Sequence, residues 1–340
     1  MGLAERPLAL TLGDPAGIGP DITLLAWTAR TRETIPPFVL IGDKAVLATR
    51  ARALGLSVPI AEVEEAREAP ALFQEALPVL PIAVGGPVTA GRPEKAAAPA
   101  VRSSIERAVS LVQHGAARAV VTNPISKAVL YGAGFSFPGH TEYLASLASA
   151  KGPPLHPVML LASPTLKVVP VTIHIPLKDV PGRLTSELIL ATIEITAKGL
   201  GRYFGIPCPR LAVSGLNPHA GEDGGLGREE IDIIAPAIEA ARAKGLDVTG
   251  PHPADTLFHA DARATYDAAI CMYHDQALVP FKTLAFADGV NVTLGLPFVR
   301  TSPDHGTAFG IAGTGKASPR SLIEALRLAS AMSDKAEGRA

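Results

Sequence analysis

The chain has 340 residues, of which 47% are hydrophobic and 19% charged, and its formal net charge is -1. This composition supplies enough apolar side chains for one large core or two ordinary ones, and it excludes an intrinsically disordered chain. The near-neutral charge, with no basic run interleaved with aromatic residues, argues against a nucleic-acid partner.

The cysteines and the first residues indicate a compartment. Cys208 and Cys271 are far apart in apolar sequence contexts, which predicts two buried free thiols in a reducing, cytoplasmic environment. The first apolar run ends before Asp14 and is too short to span a membrane, and no signal-peptide cleavage pattern accompanies it. We therefore expect no targeting segment and no membrane partner.

Short apolar runs alternate with helical patterns along the chain. The predicted strands are residues 7–12, 38–42, 79–84, 119–122, 157–162, 166–173, 210–215, 268–272 and 291–295. The clearest predicted helices are residues 98–115, 186–201, 228–245 and 318–332. Continuous apolar strands fit a sheet that is covered on both faces, so the pattern predicts an α/β fold with largely parallel central sheets.

Two glycine-rich segments resemble phosphate-binding loops without matching them. Residues 13–20 (GDPAGIGP) follow the first strand, where an anion contact and a tight strand-to-helix turn explain the glycines about equally well. Residues 310–317 match GxxxxGK, but Ala317 stands where a P-loop needs a hydroxyl group, and no clear strand precedes them. Nucleotide hydrolysis is therefore disfavoured.

Three histidines stand at or just beyond the downstream ends of predicted strands: His174, His219 and His274. Ligands of parallel sheets collect at the carboxyl ends of the strands, so three distant imidazoles could converge on one metal ion. Asp275 follows His274 directly and could orient its ring. Such a site could make a hydroxyl group a better hydride donor or could activate water for hydrolysis, and both interpretations stay open.

Polar residues elsewhere suggest an anion site. Lys282, Asn291 and Arg300 recur every nine residues, a spacing compatible with successive strand and loop ends that face one pocket. His140 and Thr141 begin a predicted helix after a loop rich in glycine and proline. Ordinary surface polarity is the alternative for each of these residues.

Separate motifs resemble the 4-hydroxythreonine-4-phosphate dehydrogenase family, which acts in vitamin B6 biosynthesis. They occur in order between about residues 7 and 332, and include LTLGDPAGIGPDI, VTNPISK, FPGHTEYLA, VTIHIPL, SGLNPHAGEDG, MYHDQALVPFK and GVNVTLGLPFVRTSPDHGTA. The resemblance implies NAD-dependent oxidation of 4-phosphooxy-L-threonine at its C3 hydroxyl group. Loss of carbon dioxide would then give 3-amino-2-oxopropyl phosphate.

The resemblance also implies site residues. A divalent ion, which could be zinc, magnesium, cobalt or manganese, would be held by His174, His219 and His274. The phosphorylated substrate would be bound by His140, Thr141, Lys282, Asn291 and Arg300. The cofactor, NAD or NADP, would contact His305, Gly306, Thr307 and Ala308, in a loop similar to the adenosine-binding loop of isocitrate and isopropylmalate dehydrogenases.

The architecture implied is the two-domain fold of those dehydrogenases, with an active-site cleft between the domains. Residues 1–125 and 302–340 would form the NAD-binding domain, and residues 126–301 the domain for metal, substrate and dimerisation. The chain would form a homodimer with shared active sites, in which the partner copy supplies His274.

Several alternatives remain at this stage. The acceptor of the hydroxyl proton could be Lys282, Asp255 or a metal-bound hydroxide. Relatives with the same fold oxidise other phosphorylated four-carbon acids, such as threonate or erythronate phosphates, or aromatic dihydrodiols. A tri-histidine metallohydrolase would need no NAD, and a non-catalytic metal-binding module would show no turnover.

Overall fold

The computed structural model describes residues 6–134, 137, 139–149 and 152–338. Met1–Glu5, where the sequence predicted no targeting segment, and Pro138 of the FPGHTEYLA motif lie outside the described residues. Strands and helices alternate as predicted, and the chain divides into two compact units: Met1–Pro157 with Leu296–Asp334, and Val158–Gly295 with Lys335–Ala340. The α/β fold class is confirmed.

The first unit is built on a parallel sheet. Its elements are β1 (Leu8–Thr11), α1 (Gly19–Ala29), β2 (Phe38–Gly42), α2 (Lys44–Ala53), β3 (Ile60–Glu62), α3 (Ala69–Leu72), β4 (Leu77–Pro81), α4 (Ala98–Gln113), β5 (Val120–Val121), α5 (Lys127–Tyr131), α6 (His140–Ala148), β12 (Arg300–Pro303) and α12 (Arg320–Ala336). The strands are ordered β3-β4-β2-β1-β5-β12, and the paired strands run parallel.

Helix α4 forms one side of the core of this unit. Its predicted apolar stripe, with Val101 and Ile105 at its centre, packs in one buried cluster with strands β2 and β5. Leu144 of α6 and Phe298 belong to the same cluster. The described residues between 126 and 157, together with residues 296–301, belong to the first unit, whereas the sequence analysis assigned them to the other domain.

The second unit contains a mixed sheet. Its elements are β6 (Val158–Ala162), β7 (Lys167–Thr172), α7 (Val180–Arg183), α8 (Ser186–Phe204), β8 (Leu211–Ser214), α9 (Ala235–Ala243), β9 (Val248–His252), α10 (Ala260–Arg263), β10 (Ala268–Tyr273), α11 (His274–Ala285) and β11 (Val290–Leu294). The strand order is β11-β6-β7-β10-β8-β9. Strands β7, β10, β8 and β9 are parallel, whereas β6 pairs antiparallel with both β7 and β11. The prediction of largely parallel sheets is confirmed.

The structure differs from the sequence prediction in three additional strands and in one predicted helix that is divided in two. Strands β3, β9 and β12 are absent from the predicted set, because they are short, polar or interrupted by Gly250-Pro251. The predicted helix 228–245 divides into a π-helical turn at Glu230–Ile234 followed by α9. Pro236 at the start of α9 lacks a backbone N–H, which favours such a break.

The two cysteines have different environments. Cys271 is buried in β10, and burial raises the pKa of its thiol far above the usual range. Cys208 is exposed, so the prediction of two buried thiols is wrong for this residue. Pro207 and Pro209 flank it in the loop between α8 and β8, outside the regular elements that form the core. Both thiols are free.

Within the described ranges, no helix combines the length and the apolar character needed to span a bilayer.

A buried ion pair joins helices α1 and α2. Arg50 and Asp21 are 4% and 0% exposed, and the guanidinium also donates hydrogen bonds to the carbonyl oxygens of Gly17 (2.8 Å) and Pro15 (3.0 Å). The Asp21 carboxylate accepts a further hydrogen bond from the Gly313 amide, at 2.7 Å. One ion pair therefore fixes the 13–20 loop and the loop that contains Gly313.

We expect Arg50→Met to lower the free energy of unfolding by about 3–5 kcal/mol, because it leaves the Asp21 carboxylate buried without its cation. Urea denaturation of the two proteins measures this difference. Arg67→Met is the matched control, since Arg67 and its partner Glu65 are 64% and 56% exposed, and we expect a loss below about 1 kcal/mol. If both variants lost the same free energy of unfolding, the buried ion pair would contribute no more to stability than the exposed one.

Candidate active site

Two of the predicted metal ligands lie side by side in the second unit. His174 follows β7 by two residues, and His274 is the first residue of α11, directly after β10. These strands are parallel neighbours in which Thr172 lies opposite Tyr273. The centroids of the two imidazole rings are 5.8 Å apart. The ends of these two strands therefore bring the two imidazoles close together.

Side chains connect the ends of the three strands that lead to the histidines. The Thr172 hydroxyl donates to the carbonyl oxygen of Met272 at 2.8 Å, which joins β7 to β10. Gln276 accepts from the Met272 amide and donates to the Gly215 carbonyl oxygen, both at 2.7 Å, which joins β10 to the end of β8. Sequence analysis missed Gln276, although a glutamine two residues after His274 was a usable signal.

Both His174 and His219 have left-handed backbone conformations, with φ of 55° and 54°. Such values are uncommon for residues other than glycine, and they cluster at functional sites when the surrounding structure enforces them. His219 lies in the loop after β8, the neighbour of β10. Within the described part of a single chain, we find no group of three His, Cys, Asp or Glu side chains that is arranged to hold a metal ion.

The other predicted residues of the second unit are spread over several elements, and Asn291 lies in register with the start of β7, not with its carboxyl end. Asp275 is exposed and its Oδ1 is 2.9 Å from Nδ1 of His274, as expected for a residue that orients the ring. Lys282 lies on α11, with its ammonium 5.2 Å from the centroid of the Phe286 ring. Asp255 is exposed in a 3₁₀ turn just after β9. Oδ1 of Asn291, on β11, is buried and has no hydrogen-bond partner among the described residues.

A buried cation marks the predicted substrate-binding residues of the first unit. Arg300, the first residue of β12, is 2% exposed, and its Nη2 donates to the Thr122 hydroxyl at 2.6 Å. Burial lowers the pKa of Arg300 to about 10, and the nearby Glu142 carboxylate partly opposes this shift. The guanidinium therefore keeps its positive charge at neutral pH in a desolvated position, where an anion would be strongly attracted.

His140 lies within the electrostatic field of this cation. Its Nε2 is buried and has no hydrogen-bond partner within the described part of the chain. Burial lowers the pKa of His140 well below the usual value, and the charges of Arg300 and Lys127 lower it further. The ring is therefore neutral at neutral pH, and Thr141 follows it half-buried on α6. Sequence analysis did not select Lys127.

The predicted cofactor loop packs against the first glycine-rich segment. The Ile18 amide donates to the Thr307 carbonyl oxygen at 3.0 Å, and a side chain at Gly17 would begin 2.9 Å from that oxygen. Ala308 is left-handed, with φ of 42°. The glycines at 13–20 thus allow close backbone packing beneath residues 305–308. On the outer side of the loop, a Cβ added at Gly306 would meet nothing within 4 Å.

The second near-match to a phosphate loop has no such support. The segment 310–317 begins within a 3₁₀ turn at Phe309–Ile311, and not after a strand. This context agrees with the sequence argument against nucleotide hydrolysis.

Comparison with known proteins decides the family. The model of the family "Pyridoxal phosphate biosynthetic protein PdxA" matches residues 33–329. The chain belongs to this family. A 4-hydroxythreonine-4-phosphate dehydrogenase of Bradyrhizobium diazoefficiens is 60% identical over 339 residues, covering 97% of each chain. The enzyme of the same name from Xanthobacter autotrophicus is 56% identical, over 98% of this chain and 95% of the relative.

Solved structures place the fold in the same family. The crystal structure of 4-hydroxythreonine-4-phosphate dehydrogenase from Klebsiella pneumoniae superposes with a TM-score of 0.84 at 38% identity, covering 96% of this chain and 99% of that one. A terephthalate 1,2-cis-dihydrodiol dehydrogenase from Burkholderia xenovorans is more distant, with a TM-score of 0.63 and 28% identity over 96% and 98% of the two chains.

The lowered pKa of His140 predicts a pH-dependent contribution to the stability of this PdxA-family chain. Below about pH 6.5 the unfolded ring takes up a proton that the folded ring resists, so stability falls as the pH falls through this window. We expect the melting temperature of the wild type to decrease more between pH 7.5 and 5.5 than that of His140→Gln. Differential scanning fluorimetry at both pH values measures this difference.

His252, whose pKa is also lowered by burial, contributes equally to both proteins, so the difference between them isolates His140. Parallel pH curves for the wild type and His140→Gln would contradict the assignment.

Proposed function

We propose that this chain catalyses the NAD- and divalent-metal-dependent oxidation of 4-phosphooxy-L-threonine at its C3 hydroxyl group. Loss of carbon dioxide from the resulting β-keto acid would give 3-amino-2-oxopropyl phosphate, a step in pyridoxal 5'-phosphate biosynthesis. The names of relatives at 60% and 56% identity support the substrate. The structural observation that carries the proposal is the buried Arg300 guanidinium with the unpartnered Nε2 of His140 in its field.

These two residues fit a phosphate group. Arg300 would supply a charge-assisted hydrogen bond in a desolvated position, and neutral His140 can donate one N–H from its buried Nε2. The charge of Lys127 acts on the same imidazole and would add to the attraction. Thr141, Lys282 and Asn291 complete the proposed set of substrate contacts, as the family resemblance implies.

The histidines of the second unit fit a divalent metal. Three neutral imidazoles are a ligand set suited to zinc, cobalt or manganese, and they leave coordination positions open for substrate oxygen. A metal ion bound there would lower the free-energy cost of removing the proton from the substrate hydroxyl group. His174 and His274 lie together in one chain. The resemblance implies that the partner copy supplies His274, and we propose on that basis that the ligand set is completed across two copies of the chain.

The loop at His305–Ala308 fits the adenosine half of NAD. The Ile18 amide fixes the backbone of this loop by a hydrogen bond to the Thr307 carbonyl oxygen, and no atom lies within 4 Å of a Cβ added at Gly306. The nicotinamide supplies the hydride acceptor when the cofactor is bound. Gly306 would let the cofactor approach the backbone closely, since it adds no Cβ.

The proton of the substrate hydroxyl group needs an acceptor from the chain. Lys282 and Asp255 are the two candidates, and we favour Lys282 because it lies on α11, the helix that His274 begins. Asp255 is exposed in a turn after β9, where it could equally serve only to end the strand.

An exposed apolar surface supports assembly into a homodimer. Among the described residues, seven of the eight markedly exposed large apolar side chains belong to the second unit: Ile175, Leu177, Leu226, Ile231, Val279, Leu284 and Phe286. In sequence they stand beside or shortly after the three histidines. Large apolar side chains that remain exposed in a chain are often covered by a partner, so we propose that a second copy covers these seven.

The first test is NADH formation, followed by absorbance, with 4-phosphooxy-L-threonine as substrate. We expect activity that disappears after chelation and returns when Zn²⁺ or Co²⁺ is added. Arg300→Met should lower kcat/KM by roughly a hundredfold through loss of a desolvated charge-assisted contact. Arg327→Met is the control, because Arg327 pairs with Glu33 and Glu324 on the surface of the same unit, and we expect at most about a twofold effect.

A folded, metal-loaded protein that forms no NADH would overturn the substrate assignment, and threonate 4-phosphate and erythronate 4-phosphate would be assayed next. Turnover that releases product without NAD would favour a tri-histidine hydrolase. The pH–rate profiles of Lys282→Met and Asp255→Asn distinguish the two candidate proton acceptors. The variant that lacks the true acceptor should lose one limb of the profile.

The second test addresses the apolar surface. We expect the wild type to elute at about twice the chain mass of 35.1 kDa in size-exclusion chromatography with light scattering. Leu177→Glu combined with Val279→Glu should give monomers, because both side chains are about two-thirds exposed in the isolated chain and would be buried by a second copy. Tyr131→Glu, at a residue of the first unit that is 48% exposed, should leave the dimer intact. A persistent dimer in the double variant would place the interface elsewhere.

A further inference from the structure

The chain after β8 makes a left-handed turn that begins at a proposed metal ligand. Residues 219–223 have five consecutive positive φ values: 54°, 52°, 81°, 45° and 51°. Only Gly221 adopts this conformation without cost, and each of the other four residues is disfavoured by roughly 1 kcal/mol or more. Such a run persists only where neighbouring groups enforce it.

Glu230 is the group that lies beneath this turn. It is 3% exposed, and its Oε1 accepts hydrogen bonds from the backbone amides of Leu216 and Asn217, both at 2.7 Å. Its Oε2 accepts from Nδ2 of Asn217 at 3.0 Å. The carboxylate therefore holds Leu216 and Asn217, which come two or three residues before the turn, through three hydrogen bonds at one buried position.

Glycines let the loop wrap closely around the carboxylate. A Cβ at Gly221 would lie 2.6 Å from Oε2 of Glu230, and one at Gly215 would lie 3.1 Å from Oε1. A Cβ at Gly227 would lie 2.3 Å from Nδ2 of Asn217. The backbone at Glu230 itself begins the π-helical turn Glu230–Ile234, an irregularity that is frequent at functional sites.

A buried carboxylate is an expensive way to stabilise a loop, because an apolar side chain of similar volume would avoid its desolvation cost. Its three contacts all converge on the residues that lead to His219. We propose that Glu230 is a positioning residue for His219, which fixes the left-handed turn so that the imidazole is held ready for the metal ion. This inference rests on the proposed function, in which His219 is a metal ligand.

The decisive measurement is the affinity of the full-length, chelator-treated dimer for Co²⁺, by titration calorimetry and by the visible absorption of the bound ion. We expect Glu230→Gln to bind Co²⁺ at least tenfold more weakly, with an altered absorption spectrum, since loss of a group that orients a ligand typically costs 10–100-fold. Glu229→Gln is the matched control. Glu229 also accepts from Nδ2 of Asn217, at 2.7 Å, but is only half-buried, and we expect less than a threefold change.

A second pair of variants tests the same contact without altering a charge. Gly221→Ala introduces backbone strain at φ 81° and pushes a methyl group onto Glu230, whereas Gly245→Ala introduces the same strain at φ 82° with nothing within 4 Å. We expect the first variant to weaken Co²⁺ binding about as much as Glu230→Gln and the second to leave binding unchanged. This pair keeps the test open if Glu230→Gln does not fold.

The outcomes separate the two proposals. If the wild type binds Co²⁺ and His219→Ala abolishes that binding, the metal site stands. Wild-type affinity and spectrum in Glu230→Gln and Gly221→Ala would then show that Glu230 is only structural. If the wild type binds no Co²⁺, or if His219→Ala changes nothing, the metal site fails and the role of Glu230 fails with it.

Discussion

The hydrogen bonds that join the carboxyl ends of β7, β10 and β8 are the constraint on which the second unit depends. Parallel strands are paired along their length, but their last residues diverge into loops unless side chains restrain them. Thr172 provides this restraint between β7 and β10, and Gln276 provides it between β10 and β8. The positions of His174 and His274 follow from these contacts, since each histidine stands within two residues of a restrained strand end.

The two units use opposite electrostatic arrangements. The first unit buries a guanidinium at Arg300 and keeps the neighbouring imidazole of His140 neutral, so the net local charge is positive and favours an anion. The second unit presents imidazoles whose neutral form is a good ligand for a cation. Under the proposed function, the first property suits the phosphate group and the second suits the metal ion.

Much of the fold was predictable because it rests on local signals. Continuous apolar runs identified nine of the strands, and the stripe on α4, with Val101 and Ile105, gave the core of the first unit correctly. Edge strand β9 was missed because its alternation is interrupted by Gly250-Pro251, and a cysteine between two prolines was wrongly taken as buried.

The candidate site was predictable in part, and for a physical reason. His174, His219 and His274 could be selected because ligands of a parallel sheet collect at the carboxyl ends of its strands. Glu230 could not, since it looks like an ordinary polar residue of an amphipathic helix and acquires its role only from contacts made across the fold. The left-handed conformation of residues 219–223 carries almost no sequence signal, because only one of the five residues is glycine.

The contrast between the two thiols makes the protein convenient to label. A maleimide fluorophore would react with exposed Cys208 and leave Cys271 untouched, since that thiol is buried and stays protonated. Cys208 precedes β8, whereas His219 follows it, so dye and proposed metal ligand lie beyond opposite ends of a four-residue strand that is roughly 13 Å long. A separation of this order suits fluorescence quenching by a coloured metal ion such as Co²⁺. A dye on Cys208 would therefore report binding of Co²⁺ at the proposed site.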